Sequence, residues 1–542
     1  MALKNAIFLI DKIRLGLNSR LRKFYLNSSY YNKKISKIEN KNLIYTPSPS
    51  LFDCLVKYNK QKNNIDDFDL ETIWKIENMN DKSKFKLNSF FWLFTIDLKS
   101  SRNKVQSILE KWMDNNIRYS NKVWDLNVLS KRIISWISNT KLTYDDGKES
   151  YKEKFNYLIR KQVNHLKFEI DRSNIIEDKV IGCVAIILTG LSYKDQNFLE
   201  YGFKLLSKII QISFDSEGFP KSRSFRQLIF YLKYFILVRE LLKETNNDIP
   251  EYLDETIYYL GQAYNLFCQN KKISNLFNGN HETKNETFDK YLELYGYKFN
   301  SKLNEIGGYA LIKDNKSQII MDVGRPPEKK FSQNYQSGAL SFEFSYLNNK
   351  IITNSGYFQK EKHQLNSMSR SSVAHSTLVI DDTSIVKFNN GIYGEKYVKK
   401  YFNIIRKKVI KDNDKWFLQA AHDSYKKKYN IIHERQIEFF SKKFLLKGKD
   451  ILEKKDKNLH CNFEIRFHLH PNIKATKTID NKSILLELED SGWKFVSENN
   501  TIDIETGLYF GKKNFYSENR NIFISGKIKN EMQVINWELK KI

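Results

Sequence analysis

Histidine is the side chain most ready to move a proton near neutral pH, and its placement in this chain is uneven. Seven of the nine histidines, His363, His375, His422, His433, His460, His468 and His470, lie after residue 300. Proton-transfer chemistry is therefore sought first in the C-terminal half. Arg466, His468 and His470 alternate at period two, the spacing of one strand face. His422 with Tyr425 and His433 with Arg435 read equally as functional or structural pairs. Arg223 can neutralise a carboxylate bidentately, or sit in an ordinary ion pair. Tyr335 can offer a phenol. The four cysteines, Cys54, Cys183, Cys268 and Cys461, are far apart with no CxxC pair, so neither a disulfide scaffold nor a cysteine-rich zinc module fits.

The elements that must position these groups differ between the halves. Residues 51–300 hold eight glycines and two prolines, Pro220 and Pro250, and apolar residues recur there at helical spacing. Examples are Phe90 to Ile96, Val105-Ile108-Leu109-Trp112, Val128 to Ile137 and Val180-Val184-Ile187-Leu188. Pro250 stands where a helix is free to begin. Two-faced helices in succession suit pairs stacked in an arc or ring. After residue 300 glycines punctuate short β-branched or alternating runs, among them 309–312, 318–323, 340–345, 376–380 and 522–525. Many short strands between turns predict a large antiparallel sandwich. The expected organisation is a basic lead-in over 1–50, a helical domain over 51–290 and a β domain over 300–542. Trp124, Trp136 and Trp493 read as core.

The 542 residues are too many for one core, and 41% hydrophobic content excludes disorder for most of the length. The formal net charge of +27 suits a nucleic acid, an anionic membrane, a polyanionic substrate, or no partner beyond water. No helix-turn-helix, zinc finger or RNP motif accompanies it, so a specific nucleic-acid partner is not expected. No run reaches the roughly 18 apolar residues of a membrane span. Ala6 to Ile10 is apolar but is ended by Asp11-Lys12, short of the roughly 7–15 residues of a secretory signal. The lead-in from Met1 to about Asn40 reads as basic and amphipathic, suited to a surface helix.

Several strings resemble one family. Gly307-Gly308-Tyr309-Ala310, Asp322-Val323-Gly324-Arg325-Pro326-Pro327 and Leu340-Ser341-Phe342-Glu343-Phe344 are similar to the start of the heparinase II/III-like C-terminal domain. Arg370 to Asp381, His422 to Tyr425, His433-Glu434-Arg435, Arg466 to Pro471 and Gly492 to Phe495 continue the likeness in order. Trp124 to Trp136 and Asn275 to Gly279 are similar to its helical segments.

The resemblance implies an incomplete (α/α) toroid followed by an antiparallel β-sandwich. It also implies polysaccharide lyase activity on an acidic, uronate-containing glycan, and a place in the cell envelope or periplasm, with a cytoplasmic one left open. β-Elimination needs the uronate C6 carboxylate neutralised, a base for the C5 proton and an acid for the departing O4. By register, the family's His-x-His pair falls at Asn334 and Gln336, and a metal-holding Asp at Asn354. Only His375 remains of the three-ligand set, so the resemblance implies no metal and no other cofactor. The family's Tyr-His pair falls at Arg226 and Gln227, with Tyr231 and Tyr234 one to two turns later, and its Asn-His pair is reduced to Asn174. The expected catalytic groups are thus His375, Tyr335 and Tyr231, and the expected substrate contacts Arg223, Asn334, Gln336 and Arg370. The alternative is a non-catalytic glycan-binding or envelope-assembly protein that kept the fold.

Overall fold

The computed structural model describes residues 16–56, 65, 80–269, 274–360, 362–391, 396–412, 414–455, 460–498 and 500–542. The apolar run Ala6 to Ile10 lies outside them. By internal contacts the chain divides into two compact units, Met1–Ile212 with Phe230–Tyr258, and Ser213–Ile229 with Tyr259–Ile542.

The first unit is helical. Its principal helices are Arg102–Asn116, Leu126–Ser138, Glu149–Glu169, Ile176–Ser192 and Gln196–Ser213. Their starts follow the sequence chemistry. Ser101 accepts a hydrogen bond from the Lys104 amide, and the Asp125 carboxylate takes those of Asn127 and Val128, filling donors that a helix start leaves open. Pro250 directly precedes the helix Glu251–Phe267, as expected. Phe90, Trp112 and Trp136 meet edge to face at 5.3–5.6 Å between centroids, with Arg132 4.2 Å over the Trp112 ring. Trp124 is buried as well.

One expected helix differs. Phe90 to Ile96 forms only a short 3₁₀ turn over Phe91–Thr95, because Phe90 has a left-handed φ of 54° that breaks continuity with the helix Asp81–Asn88. Its apolar side chains are too densely spaced to make a one-faced helix.

The second unit carries two large antiparallel sheets. The first runs in the order Glu305–Ile306, Tyr309–Lys313, Ser317–Asp322, Phe342–Tyr346, Asn349–Thr353, Cys461–Leu469, Ser517–Ile528, Ile502–Tyr509, with Leu378–Ile380 also pairing with Cys461–Leu469. The second runs Lys474–Lys477, Ser483–Leu488, Ser491–Ser497, Met532–Lys541, Leu445–Lys454, Ile431–Phe440, Lys415–His422, Ile404–Asp412. Their inner faces share one core. Phe342 stacks on Trp537 at 5.5 Å, and Phe344 meets Trp493 edge to face at 5.2 Å. Alternation of buried and exposed positions, as along Leu445–Lys454, fixes which face turns inward. The expected class, helices first and an antiparallel sandwich after, is the one observed.

Candidate functional site

The second unit gathers most of the singled-out residues, beginning at the turn before Arg223. Asp215 Oδ1 accepts the amides of Glu217 and Phe219 at 3.0 and 2.9 Å, and Gly218 takes the positive φ (73°) that closes the turn. Glu217 Oε2 in turn accepts the Gly307 amide at 2.7 Å.

Arg223 spends its donors inward. Nε donates to Gly307 O (3.1 Å), Nη1 to Arg325 O (3.2 Å), and Nη2 to Gly308 O (2.9 Å) and to Asp322 Oδ1 (2.7 Å). The guanidinium carbon lies 4.7 Å over the Tyr309 ring, whose hydroxyl donates to Arg223 O at 2.7 Å. This explains the glycines of two motifs. A Cβ on Gly324 would stand 2.5 Å from the guanidinium carbon, and one on Gly308 3.0 Å from Nη2, so only glycine lets the planar group lie against backbone. Burial pulls the Arg223 pKa down, but the Asp322 carboxylate more than restores it, so the group stays cationic.

Residues 334–336 form the next layer. The Gln336 amide N–H donates to Asn278 Oδ1 (3.2 Å), its Oε1 accepts from Gly279 N (3.0 Å), and its Nε2 donates to Gly356 O (2.9 Å) and Ser369 O (2.6 Å). Asn278 Nδ2 donates to the Tyr309 hydroxyl at 2.5 Å, closing the circuit to Arg223. Asn334 is half-buried, and its Cβ rests against Gly279. Tyr335 is 1% exposed; its hydroxyl makes no well-formed hydrogen bond. Burial raises its pKa well above that of a free phenol, opposed by the nearby Arg223 charge.

Arg370 and His375 hold the loop from its other side. Arg370 Nη1 donates to Gln333 O (2.5 Å) and the Tyr357 hydroxyl (3.1 Å), and the guanidinium stacks 4.4 Å over Phe388. His375 Nδ1 bonds Ser371 O at 2.9 Å, its Nε2 is buried with no partner among the described residues, and its ring packs against Gly338. Burial lowers its pKa to about 4, so the ring is neutral at pH 7.

Arg223, Tyr335 and Gln336, with Asn334 beside them, are therefore brought together, and Arg370 and His375 support the same loop. All but Asn334 are buried. Tyr231 belongs to the first unit, where it is 2% exposed with the Phe230 and Phe235 rings at 5.9 and 5.7 Å.

The ambiguous histidines resolve as a buried network. His433 Nε2 meets Asp450 Oδ1 at 2.7 Å, His422 meets His433 at 3.3 Å, and Arg435 bonds both Asp450 oxygens at 2.8 and 3.1 Å. His468 bonds Ser355 Oγ and Val373 O, and Arg466 pairs with Glu464 and Glu505.

Open space lies on the outer side of Arg223. A cavity of about 600 Å³ is lined by Lys221, Arg223, Arg325, Arg406 and Lys407, with Asp215, Glu217, Glu305 and Glu328 interspersed. Lys407 pairs with Glu305, and Arg406 with Glu434 and Glu453. Arg325 is exposed, and among the described residues no carboxylate pairs with it. Arg325, Arg406 and Lys407 were not singled out individually. The Gly-Arg-Pro-Pro string and the lysine-rich run 399–411 were the available signals.

The family's metal ligands have no equivalent set here. Asn354 Oδ1 accepts the Ser376 amide at 3.1 Å, Gln336 is saturated by backbone, and no three His, Cys, Asp or Glu side chains among the described residues gather to hold an ion. These residues do not fit a zinc site of about four N, S or carboxylate ligands.

In sequence, residues 299–538 match the heparinase II/III-like C-terminal domain family, and no curated relative matches. In structure, the chain is similar to the heparan sulfate lyase HepC of Pedobacter heparinus (TM-score 0.63, 14% identity, 95% of this chain and 87% of that one). It is also similar to the heparinase III BT4657 gene product (0.66, 12%, 93% and 87%) and to heparinase III (0.65, 12%, 98% and 91%). At these identities the likeness is one of fold, a helical toroid followed by an antiparallel β-sandwich. Residues 299–538 thus carry a heparinase II/III-like C-terminal domain, and the chain around it has the fold of a helical toroid followed by a β-sandwich.

Proposed function

We propose that the protein is a polysaccharide lyase in kind, acting by β-elimination on an acidic, uronate-containing polysaccharide. The observation that carries this reading is the fold likeness over 93–98% of the chain to three lyase structures. The +27 charge and the cavity bearing Arg325, which has no carboxylate partner among the described residues, fit an anionic ligand. In this reading Arg325 is a candidate to neutralise a sugar carboxylate through its bidentate fork, with Arg223 holding the Arg325 backbone in place. Incubating the purified protein with heparan sulfate, alginate and other uronate glycans tests it. A rise in ultraviolet absorbance from the unsaturated product supports elimination.

One observation favours a second reading. His375, Tyr335 and Tyr231 are each 1–2% exposed, and among the described residues the His375 Nε2 and Tyr335 hydroxyl make no well-formed hydrogen bond. None is placed to exchange protons with a sugar without moving. A protein that binds the glycan without cleaving it would give saturable binding and no absorbance change, with binding unaffected by His375→Gln.

A further inference from the structure

Residues 16–27 are helical, and this helix has two apolar faces. One is used within the first unit: Leu26 is buried, and Arg22 pairs with Glu169 while covering the Tyr25 ring at 4.7 Å. The other is not. Leu17, Leu21 and Phe24 are 54%, 67% and 80% exposed. With about 100° per residue they form one stripe, about 180° from Leu26. Arg20 and Lys23 lie along one edge of that stripe, both exposed. Residues 16–37 contain Arg20, Arg22, Lys23, Lys33, Lys34 and Lys37 and no Asp or Glu.

We propose that this face docks on an anionic phospholipid surface, with Leu17, Leu21 and Phe24 inserted at the headgroup boundary and Arg20 and Lys23 among the lipid phosphates. Large apolar side chains on one face, edged by Arg and Lys, are what an in-plane interfacial helix requires. A cluster of about 4–8 basic residues without acids is the charge pattern drawn to anionic lipid. A second copy of the chain fits less well. Three side chains fall far short of the roughly 20–30 residues per side of a stable protein interface, whereas shallow insertion needs only such a stripe. The proposal is independent of the glycan chemistry of the second unit.

Flotation of the full chain with phosphatidylcholine vesicles, with and without phosphatidylglycerol, tests it. Binding is expected only with phosphatidylglycerol, weakening as salt rises. Leu21→Ser with Phe24→Ser keeps the charge and is expected to lower affinity at least about tenfold. Arg20→Glu with Lys23→Glu is expected to lower it similarly. These side chains are exposed, so an unchanged thermal melt verifies the fold. No binding to phosphatidylglycerol vesicles overturns the proposal, as does equal binding by the serine variant, which would assign attraction to the net charge alone. A lipid-free change in sedimentation coefficient between wild type and serine variant also overturns it, since a second copy would then be the occupant.

Discussion

Two buried arginine–aspartate pairs in the second unit use the same chemistry for different ends. Arg435 and Asp450 are direct cross-strand partners in the second sheet, each 0% exposed. His433 and Trp537 complete the carboxylate, and Arg435 Nη1 reaches Leu340 O and Ser376 O at 2.9 and 2.7 Å. Arg223 and Asp322 meet across a sequence gap of 99 residues, with the guanidinium forming part of a cavity wall. Burial alone would raise the Asp450 pKa, yet Arg435 and His433 hold it below the ordinary carboxylate range. The first pair locks strands inside the sandwich. The second fixes a loop whose next residues face open space, so its geometry passes to Arg325.

The sharpest break of this comparison is Asp450→Asn. It strands the Arg435 charge where no water reaches, at an expected cost of about 3–5 kcal/mol in urea unfolding. A loss below about 1 kcal/mol would show that the pair does not lock the sheets.

Acid acts next, through the buried histidines of the second unit. Burial lowers the pKa of His375 from 6.5 to about 4 and of His468 to about 3. His433, on Asp450, and His422, on His433, are shifted the same way, whereas Arg223 bonds backbone carbonyls and a carboxylate. A depressed histidine pKa means the unfolded chain binds protons that the folded chain refuses below pH 6.5. Stability is therefore complete above 6.5 and falls as pH drops toward the folded values. At pH 5 the expected loss is about 2 kcal/mol for each of His375 and His468. Urea titrations at pH 7 and 5 read it, and His375→Gln is expected to flatten the slope. An unchanged midpoint at pH 5 would contradict neutral burial.

Asp322→Asn is the milder counterpart of Asp450→Asn. Arg223 keeps three carbonyl acceptors and borders open space, so about 1–2 kcal/mol is expected. A loss equal to that of Asp450→Asn would erase the distinction between the pairs.

Much of the fold was legible because period and punctuation are local signals. The helical spacing around Leu126–Ser138 and the β-branched run 318–323 read directly, and Pro250 marked its helix start. The run at Phe90 did not, since the left-handed φ that breaks it has no marker in a string of aromatics. Four of the candidates, Arg223, Asn334, Tyr335 and Gln336, lie together, but the directions of their side chains were not legible, and Tyr231 lies in the first unit. Arg223 offers the same fork to a substrate or to Asp322, and nothing near it in sequence reveals a carboxylate 99 residues away. The only trace was indirect: Gly308 and Gly324 are glycines because the guanidinium lies on them. Gln336 likewise reads as a sugar-binding amide until its donors are found on Gly356 O and Ser369 O.

Arg325 supplies the finest cut, because it draws on the Arg223 pair without being part of it. Its backbone carbonyl accepts from Arg223 Nη1, while its exposed side chain has no carboxylate partner among the described residues. Arg325→Ala is therefore expected to shift stability by less than about 0.5 kcal/mol. A charge-assisted contact to a glycan carboxylate at that position would cost about five- to tenfold in affinity when lost, measured by calorimetry at low salt. Arg325→Lys is expected to recover only part of it, since a point charge does not reproduce the bidentate fork. Were Asp322→Asn to weaken glycan binding while Arg325→Ala did not, the cavity would be a structural void and the ligand face would lie elsewhere.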